Sequence, residues 1–271
     1  MRLLKQLLAV AAVGLVGGQA TAAAEWNTVL TLVLGAATAA LSLVVYAWVV
    51  RRTERRKPEE VALKGAVTRT GLGLLVGFGV FGAVIGNIAF LGHYRIEGSG
   101  SATGALALLG FMAGAAVTEE VIFRGVLFRV LEERLGTWVS LLLTGTLFGA
   151  WHMAAGVWGA IAIAVSAGGL LAAAYAATRN LWFPIGLHFA WNYAGAGIFG
   201  TDVSGRSAPD GLVDGVTSGP VLVSGGDFGP EASMYAIVFC AALTLVFMWV
   251  AHRRGRVLPR RRRAAEAPAA A

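Results

Sequence analysis

Long apolar runs, separated by short polar segments, occupy most of this chain. A helix needs about 20 mostly apolar residues to cross the hydrocarbon core of a bilayer. Runs of that kind predict membrane spans at 27–50, 65–92, 102–134, 138–155, 156–178, 181–199 and 231–251. The pattern therefore predicts an all-α fold, a polytopic transmembrane helical bundle of about seven or eight spans.

The N-terminal segment, residues 1–24, has two interpretations. Arg2 and Lys5 precede an apolar run that ends in small residues, as in a secretory signal peptide with its cleavage region. The same segment is also long enough to form an uncleaved first transmembrane helix. Both interpretations give the remaining spans the same orientation.

Composition makes lipid the solvent for much of the surface. Of the 271 residues, 57% are hydrophobic and only 14% are charged, whereas a soluble domain carries about 25% charged residues. The length accommodates one bundle domain over residues 25–251 and no second soluble domain. Cys240 is the single cysteine, which excludes a disulfide within the chain and a cysteine-based metal site.

Positive charge predicts the orientation of the bundle. The tail, residues 252–271, holds seven Arg and one Glu, which is +6 of the net charge of +7. A basic run can bind nucleic acid, but next to a membrane span it is typical of the cytoplasmic side. The segment Arg51–Lys57 and the residues Arg129, Arg134 and Arg179 fall on that same side. We expect an integral plasma-membrane protein with a cytoplasmic C-terminus that contacts lipid and does not bind nucleic acid.

Two segments are expected on the opposite side of the membrane. Residues 93–101 and the stretch 200–230, rich in Gly, Ser, Asp and Pro, have the composition of external loops. Pro230-Glu231 then suits the start of the last helix. Within the spans, glycine pairs with the small-xxx-small spacing that lets helices approach closely are Gly73/Gly77 and Gly82/Gly86.

Three places within the spans break the apolar pattern. They are Thr118-Glu119-Glu120-Val-Ile-Phe-Arg124, Phe148-Gly-Ala-Trp-His152 and His188-Phe-Ala-Trp-Asn192. A charged side chain at the centre of a span costs roughly 2.5–3.5 kcal/mol on insertion scales. Such residues persist only where partners or function offset that cost, so the three motifs are candidates for a functional site.

Helical spacing separates a structural pair from a free carboxylate. Glu120 and Arg124 are four residues apart, share a helix face and can form a salt bridge. Glu119 is rotated by about 100° from Glu120 and has no such partner. At a rise of about 1.5 Å per residue, Glu119, His152 and Asn192 lie roughly 18–22 Å from the inner ends of their helices. Three helices are therefore expected to present polar groups at similar depth.

These residue types suit the activation of water for hydrolysis. A carboxylate in an apolar environment suits a general base near neutral pH. A neutral imidazole can share the water and pass on a proton, and a second His with an amide can donate hydrogen bonds to a developing oxyanion. A proton-coupled transporter and a non-catalytic membrane scaffold are the alternatives. A transporter requires a polar path across the membrane, but mainly Ala, Gly and Leu lie outward of these motifs.

The three motifs, in this order and on successive spans, resemble those of the CPBP family. This family, also called Abi, contains the CAAX prenyl protease type II-like and bacteriocin-processing intramembrane proteases. The resemblance covers about residues 102–200, and the segment Gly225–Glu231 also resembles bacterial members. It implies that residues 25–251 form an intramembrane endopeptidase domain. A bacteriocin-immunity-type protein is the non-catalytic alternative.

The resemblance also implies a role for each motif residue. Glu119 and His152 would hold the catalytic water, and His188 and Asn192 would stabilise the oxyanion. The supporting residues would be Glu120, Arg124 and Phe148. The Ala-, Gly- and Arg-rich composition is typical of bacteria, most of which do not prenylate proteins. The expected substrate is therefore a short lipophilic peptide or a segment of a membrane protein.

A metal is the alternative to direct catalysis by glutamate, because members of this family are often described as metalloproteases. If zinc is present, its ligands would be Glu119, His152 and His188, with water in the fourth place. The His-Glu-x-x-His motif is absent from the sequence. Asn192 also suits an oxyanion role better than a zinc ligand. These points favour water attack assisted by glutamate, with no metal cofactor.

Overall fold

The computed structural model describes residues 1–205 and 211–260. Residues 206–210 of the predicted external loop and 261–271 of the predicted basic tail lie outside this description. The helices are α1 (Arg2–Ala22), α2 (Thr28–Glu54), α3 (Ala66–Phe90), α4 (Ala102–Glu120), α5 (Arg129–Trp151), α6 (Val157–Ile163), α7 (Leu170–Thr178), α8 (Trp182–Tyr193), α9 (Val221–Ser224) and α10 (Met234–Arg253). The predicted all-α fold class is confirmed.

Short irregular turns connect or extend these helices. Three π-helical turns follow α4, α6 and α8 directly, at Val121–Phe128, Ala164–Gly169 and Ala194–Ile198. Single 3₁₀ turns occupy Glu59–Val61, Met153–Ala155, Gly226–Phe228 and Pro230–Ala232. All three π-helical turns lie within residues 102–200, the stretch that carries the polar motifs.

The bundle is that of an integral membrane protein. Within the described residues, six helical segments are long and apolar enough to cross a membrane, and one of them, Ala102–Trp151, is 50 residues long. At about 1.5 Å per residue this segment would measure roughly 75 Å, more than twice the ~30 Å of a hydrocarbon core. Its backbone turns at Gly136, where φ is 76° and ψ is 168°. Glycine adopts this conformation without steric cost, so the segment makes two passes, divided where the sequence predicts.

Ion pairs cluster at the end of the bundle where the sequence predicts the cytoplasmic side. The pairs are Arg129 with Glu54, Arg179 with Glu132, Arg2 with Glu133 and Arg56 with Glu60. Buried Gln6 of α1 donates hydrogen bonds to Thr53 and Glu54 of α2 over 2.8 and 2.7 Å. This polar network ties α1, α2 and the start of α5 together at one end of the bundle.

Glu60, in the connection between α2 and α3, is a buried acid with two hydrogen-bond donors. Its carboxylate accepts hydrogen bonds from Arg56 Nη2 over 2.7 Å and from the Tyr46 hydroxyl. Burial raises the pKa of Glu60, but the hydrogen bonds from Arg56 and Tyr46 outweigh that effect and leave the pKa below its ordinary value. The ionised form of Glu60 therefore stabilises this end of the fold.

A small sheet lies at the opposite end of the bundle. Strands β1 (Tyr94–Ser99) and β2 (Val213–Thr217) pair antiparallel, with Tyr94 opposite Thr217 and Ser99 opposite Val213. The sequence predicts only external loops here, so the loop assignment is wrong for these strands. The pairing joins segments far apart in the chain, so no local sequence pattern predicts it.

The predicted glycine pairs behave differently from each other. A side chain at Gly73 or Gly77 would collide with the backbone of α8, at Phe183 and Leu187 respectively. These two glycines let α3 and α8 approach closely. A side chain at Gly82 or Gly86 would meet nothing within 4 Å, so the expectation of close packing is wrong for that pair.

Candidate active site

The two adjacent carboxylates lie where α4 passes into its π-helical turn. The side chain of Glu120 is completely buried, whereas that of Glu119 keeps 20% of its surface exposed. Successive helical residues point about 100° apart, so the two acids face different surroundings. π-helical turns often occur at functional sites, and this one begins directly after Glu120.

Arg124, within that π-helical turn, is buried and held by three acceptors. Its Nη1 donates to Glu120 Oε1 over 2.8 Å. Its Nη2 donates to the carbonyl oxygens of Ala167 and Gly168 over 3.2 and 3.3 Å. Those carbonyls belong to the π-helical turn Ala164–Gly169. The salt bridge expected from the spacing is present, and Arg124 additionally ties α4 to the helix that follows His152.

An aromatic ring fills the space between the polar groups. The guanidinium carbon of Arg124 lies 4.6 Å from the ring centroid of Phe148, within the range of a cation–π contact. The same ring lies 4.9 Å from the His152 ring and 5.9 Å from the His188 ring, between centroids. Phe148 thus packs against a member of each polar motif.

His188 of α8 lies between the two acids. Its Nδ1 is 2.9 Å from Glu120 Oε1, and its Nε2 is 3.8 Å from Glu119 Oε2. Because an ionised carboxylate only accepts hydrogen bonds, Nδ1 carries a proton and donates it to Glu120. Glu120 therefore orients His188 as well as pairing with Arg124, a contact that the spacing of residues within one helix does not predict.

His152 caps the end of α5 in a fixed orientation. Its Nδ1 lies 2.8 Å from the carbonyl oxygen of Phe148, so Nδ1 is the donor of this bond and Nε2 is left unoccupied by it. No ring nitrogen of His152 lies within 4.0 Å of a Glu119 carboxylate oxygen. The two residues predicted to share a water therefore form no direct ion pair or hydrogen bond.

Asn192 follows His188 by one helical turn. Its side chain is half-buried, in contrast to the fully buried Trp191 beside it. The four-residue spacing places the Asn192 amide on the same face of α8 as His188. The structure thus brings Glu119, Glu120, Arg124, Phe148, His152 and His188 together through direct contacts or the shared Phe148 ring, and it places Asn192 alongside.

A second buried acid lies beside the motifs. Glu231 is 1% exposed, and its Oε1 accepts a hydrogen bond from Trp191 Nε1 over 2.6 Å. From the sequence, Glu231 is expected at the start of the last helix and in the segment Gly225–Glu231 that resembles bacterial members, with no role in the site. The signal that was available is the acid itself, an ionisable residue at the border of an apolar span.

Comparison with known protein families adds to this geometry. The family model described as type II CAAX prenyl endopeptidase Rce1-like matches residues 101–194. This region of the chain, here called the Rce1-like region, is similar to that family. The match confirms the resemblance drawn from the three motifs and supports a protease as the kind of enzyme. Searches of curated proteins and of solved structures returned no match.

The Rce1-like region contains every residue of the three motifs. It begins at Ser101, directly before α4, and ends at Ala194, two residues after Asn192. Glu231 lies beyond it, as do helices α1 to α3 and α10. The family match therefore covers the three polar motifs, and it does not extend to the rest of the bundle.

Zinc ligation by Glu119, His152 and His188 is the alternative drawn from the sequence. Within the part of the chain that the structure describes, no three His, Cys, Asp or Glu side chains come close enough to hold a metal ion. His188 Nδ1 lies 2.9 Å from Glu120 Oε1, and Arg124 donates to the same carboxylate oxygen. Catalysis by glutamate without a metal stays a prediction.

Proposed function

We propose that this protein is an intramembrane endopeptidase that hydrolyses peptide bonds of a membrane-associated or lipophilic substrate. The observation that carries the proposal is the position of His188 between Glu119 and Glu120, at 3.8 and 2.9 Å. One carboxylate is buried and paired, whereas the other is partly exposed. Two acids with different environments are the arrangement expected of a site that separates orientation from proton transfer.

Water is the proposed nucleophile. Glu119 removes a proton as the water oxygen attacks the carbonyl carbon of the scissile peptide, and His152 positions the same water from the other side through Nε2. In this mechanism the water lies between the Glu119 carboxylate and His152 Nε2. The proton then passes to the leaving amine nitrogen as the C–N bond breaks, giving one carboxyl and one amino terminus.

His188 and Asn192 are the proposed oxyanion donors. Since His188 already donates Nδ1–H to Glu120, it must carry a second proton on Nε2 to donate to the oxyanion. With that proton the charges of Glu119, Glu120, Arg124 and His188 sum to zero before the reaction begins. The tetrahedral intermediate then brings its charge into a preorganised site, the condition under which such donors are effective.

The surroundings of His152 favour a lipophilic substrate. Trp151 and Met153, on either side of it, are exposed apolar residues within the bundle. A substrate that arrives through the lipid phase meets these side chains next to a half-buried imidazole. We propose cleavage of a lipophilic peptide or a membrane-protein segment, with the basic end of the bundle and the C-terminus in the cytoplasm.

The decisive variant is Glu119→Gln, which keeps the shape of the side chain and removes the base. Purified protein in liposomes would be assayed with an internally quenched peptide that ends in a farnesylated Cys-aliphatic-aliphatic-X sequence, and with the same peptide unprenylated. Comparative membrane proteomics of wild-type and Glu119→Gln strains would identify natural substrates. Glu133→Gln, an exposed carboxylate at the far end of the bundle, is the matched control.

We expect Glu119→Gln to lower cleavage by at least about 10²-fold, the range for loss of a general base, and Glu133→Gln to have no effect. If the Glu119→Gln strain kept full cellular function, this would contradict the proposal that the protein is an enzyme and would favour a non-catalytic scaffold. Cleavage that tracks stoichiometric bound zinc and is abolished by 1,10-phenanthroline would contradict the metal-free mechanism. Preference for the farnesylated peptide would assign a prenylated substrate.

A further inference from the structure

The short segment before α10 makes an unusual set of contacts through one acid. Glu231 Oε1 accepts the indole N–H of Trp191, and Oε2 accepts the backbone N–H of Ser204 over 2.6 Å and its hydroxyl over 3.0 Å. These three donors are neutral. Among the described residues no cation pairs with this carboxylate, and burying an unpaired carboxylate is costly. Packing of the described residues therefore gives no reason to retain an acid here.

The partner of Glu231 belongs to the helix that carries half of the candidate site. Trp191 follows His188 by three residues and precedes Asn192 directly. Its ring also packs edge-on against Phe81 of α3, with centroids 5.0 Å apart and planes at 88°. The indole is therefore held on one side by Phe81 and on the other by Glu231, which fixes the rotation of α8 about its own axis.

The same segment contacts the other half of the site. Phe228 packs in one apolar cluster with Phe123 and Phe148, the latter being the ring that separates His152 from His188. A side-chain bond from α8 and an apolar contact to α5 thus converge on residues 226–231.

We infer that Glu231 is a positioning residue, which acts through Trp191 to set α8 so that His188 and Asn192 face Glu119. The inference rests on the proposed function, since it gives Glu231 a purpose in that reaction. It differs from a purely structural role in one respect. Loss of the Trp191–Glu231 bond should alter the chemical step and the environment of His188 more than it alters substrate binding.

The test is a double-mutant cycle in the full-length protein. Glu231→Gln removes the charge, and Trp191→Phe removes the indole N–H while keeping an aromatic ring against Phe81. Trp158→Phe is the matched control, because Trp158 belongs to α6 and its Nε1 donates to the carbonyl of Ala232 in the same segment over 3.1 Å. The kinetic probe is the farnesylated quenched peptide, with kcat and KM determined separately.

A second readout needs no substrate. The chain has four histidines, so labelled histidine gives few ring resonances, which single substitutions assign. His93 and His252 lie outside the site and serve as internal references. We expect Glu231→Gln and Trp191→Phe each to shift the His188 resonance and to lower kcat about tenfold, with KM changed less than about twofold. The double variant should be no worse than either single variant.

Two results would overturn the inference. One is an unshifted His188 resonance with unchanged kcat in either variant, and the other is a multiplicative loss of about 100-fold in the double variant, which would mean that the residues act independently. If Glu231→Gln does not fold, Trp191→Phe alone decides through the same two readouts. If wild-type protein cleaves neither probe peptide, this result contradicts the proposed function. The His188 resonance still shows whether Glu231 positions α8.

Discussion

Replacing Glu120 by Gln isolates the charge of the most buried acid in the cluster. Its Oε1 accepts from Arg124 Nη1 over 2.8 Å and faces His188 Nδ1 at 2.9 Å, whereas its Oε2 has no hydrogen-bond partner among the described residues. A Gln oxygen can occupy the position of Oε1 with nearly the same shape. The principal change is therefore the removal of a negative charge from beside a buried guanidinium.

The size of the stability loss depends on the hydrogen-bond acceptors that Arg124 keeps in the Glu120→Gln variant. Removing one partner of a buried ion pair destabilises by about 3–5 kcal/mol, but Arg124 keeps the carbonyls of Ala167 and Gly168 and a neutral Gln acceptor. We therefore expect a loss of about 2–3 kcal/mol, closer to one hydrogen bond to a charged group. This corresponds to a decrease of roughly 30- to 150-fold in the ratio of folded to unfolded protein.

Unfolding by SDS in mixed micelles, followed by tryptophan fluorescence, measures this difference. Glu119→Gln is the matched control, since it is the same substitution one residue earlier at a partly exposed site, and we expect it to change stability by less than about 1 kcal/mol. The double variant Glu120→Gln/Arg124→Met should recover part of the loss because it removes the unpaired cation. Equal midpoints for Glu120→Gln and Glu119→Gln would refute the assigned pairing.

Two further predictions concern the helix contact behind the site and the inner end of the bundle. Gly77→Leu should destabilise by about 1–3 kcal/mol or more, because its Cβ would meet Leu187 O and Ala190 Cβ of α8, whereas Gly82→Leu should leave the SDS midpoint unchanged. The lowered pKa of Glu60 means that its ionised form adds stability above the unfolded-state pKa of about 4.3 and loses it as pH falls through the folded-state value. Wild type should therefore be more stable than Glu60→Gln at pH 7, and this advantage should shrink on acidification below about pH 4; an advantage independent of pH would contradict the role of the ionised carboxylate.

The spans and the pairing within α4 could be predicted because both are local. Hydropathy over about 20 residues sets where a helix can cross the membrane, and the four-residue spacing of Glu120 and Arg124 sets a shared face. The turn between two passes was also predictable near Gly136, where an apolar run is too long for one crossing. The structure agrees with the sequence on the pair and on the turn, and its candidate crossing helices cover every predicted span except 181–199. At 181–199, α8 and its π-helical turn are not among the six candidate crossings of the described residues.

Contacts between distant segments were not predictable in the same way. The hydrogen bond from His188 to Glu120 joins α8 to α4, and its direction depends on the crossing of the two helices. The π-helical turn that offers Ala167 and Gly168 to Arg124 has no local sequence pattern. The bond from Trp191 to Glu231 likewise depends on how the loop after α8 returns to α10. Each of these contacts follows from packing in three dimensions, and periodicity does not encode it.

The division of labour between Glu119 and Glu120 follows from one helical step. A step of about 100° places Glu120 against Arg124 and His188, where its charge is neutralised and its orientation fixed. The same step places Glu119 at the edge of the cluster, 3.8 Å from His188 Nε2 and partly exposed. In the proposed mechanism, exchanging the two environments would bury the base and remove the acid that orients His188. Two adjacent acids can thus serve different purposes because the helix gives them different neighbours.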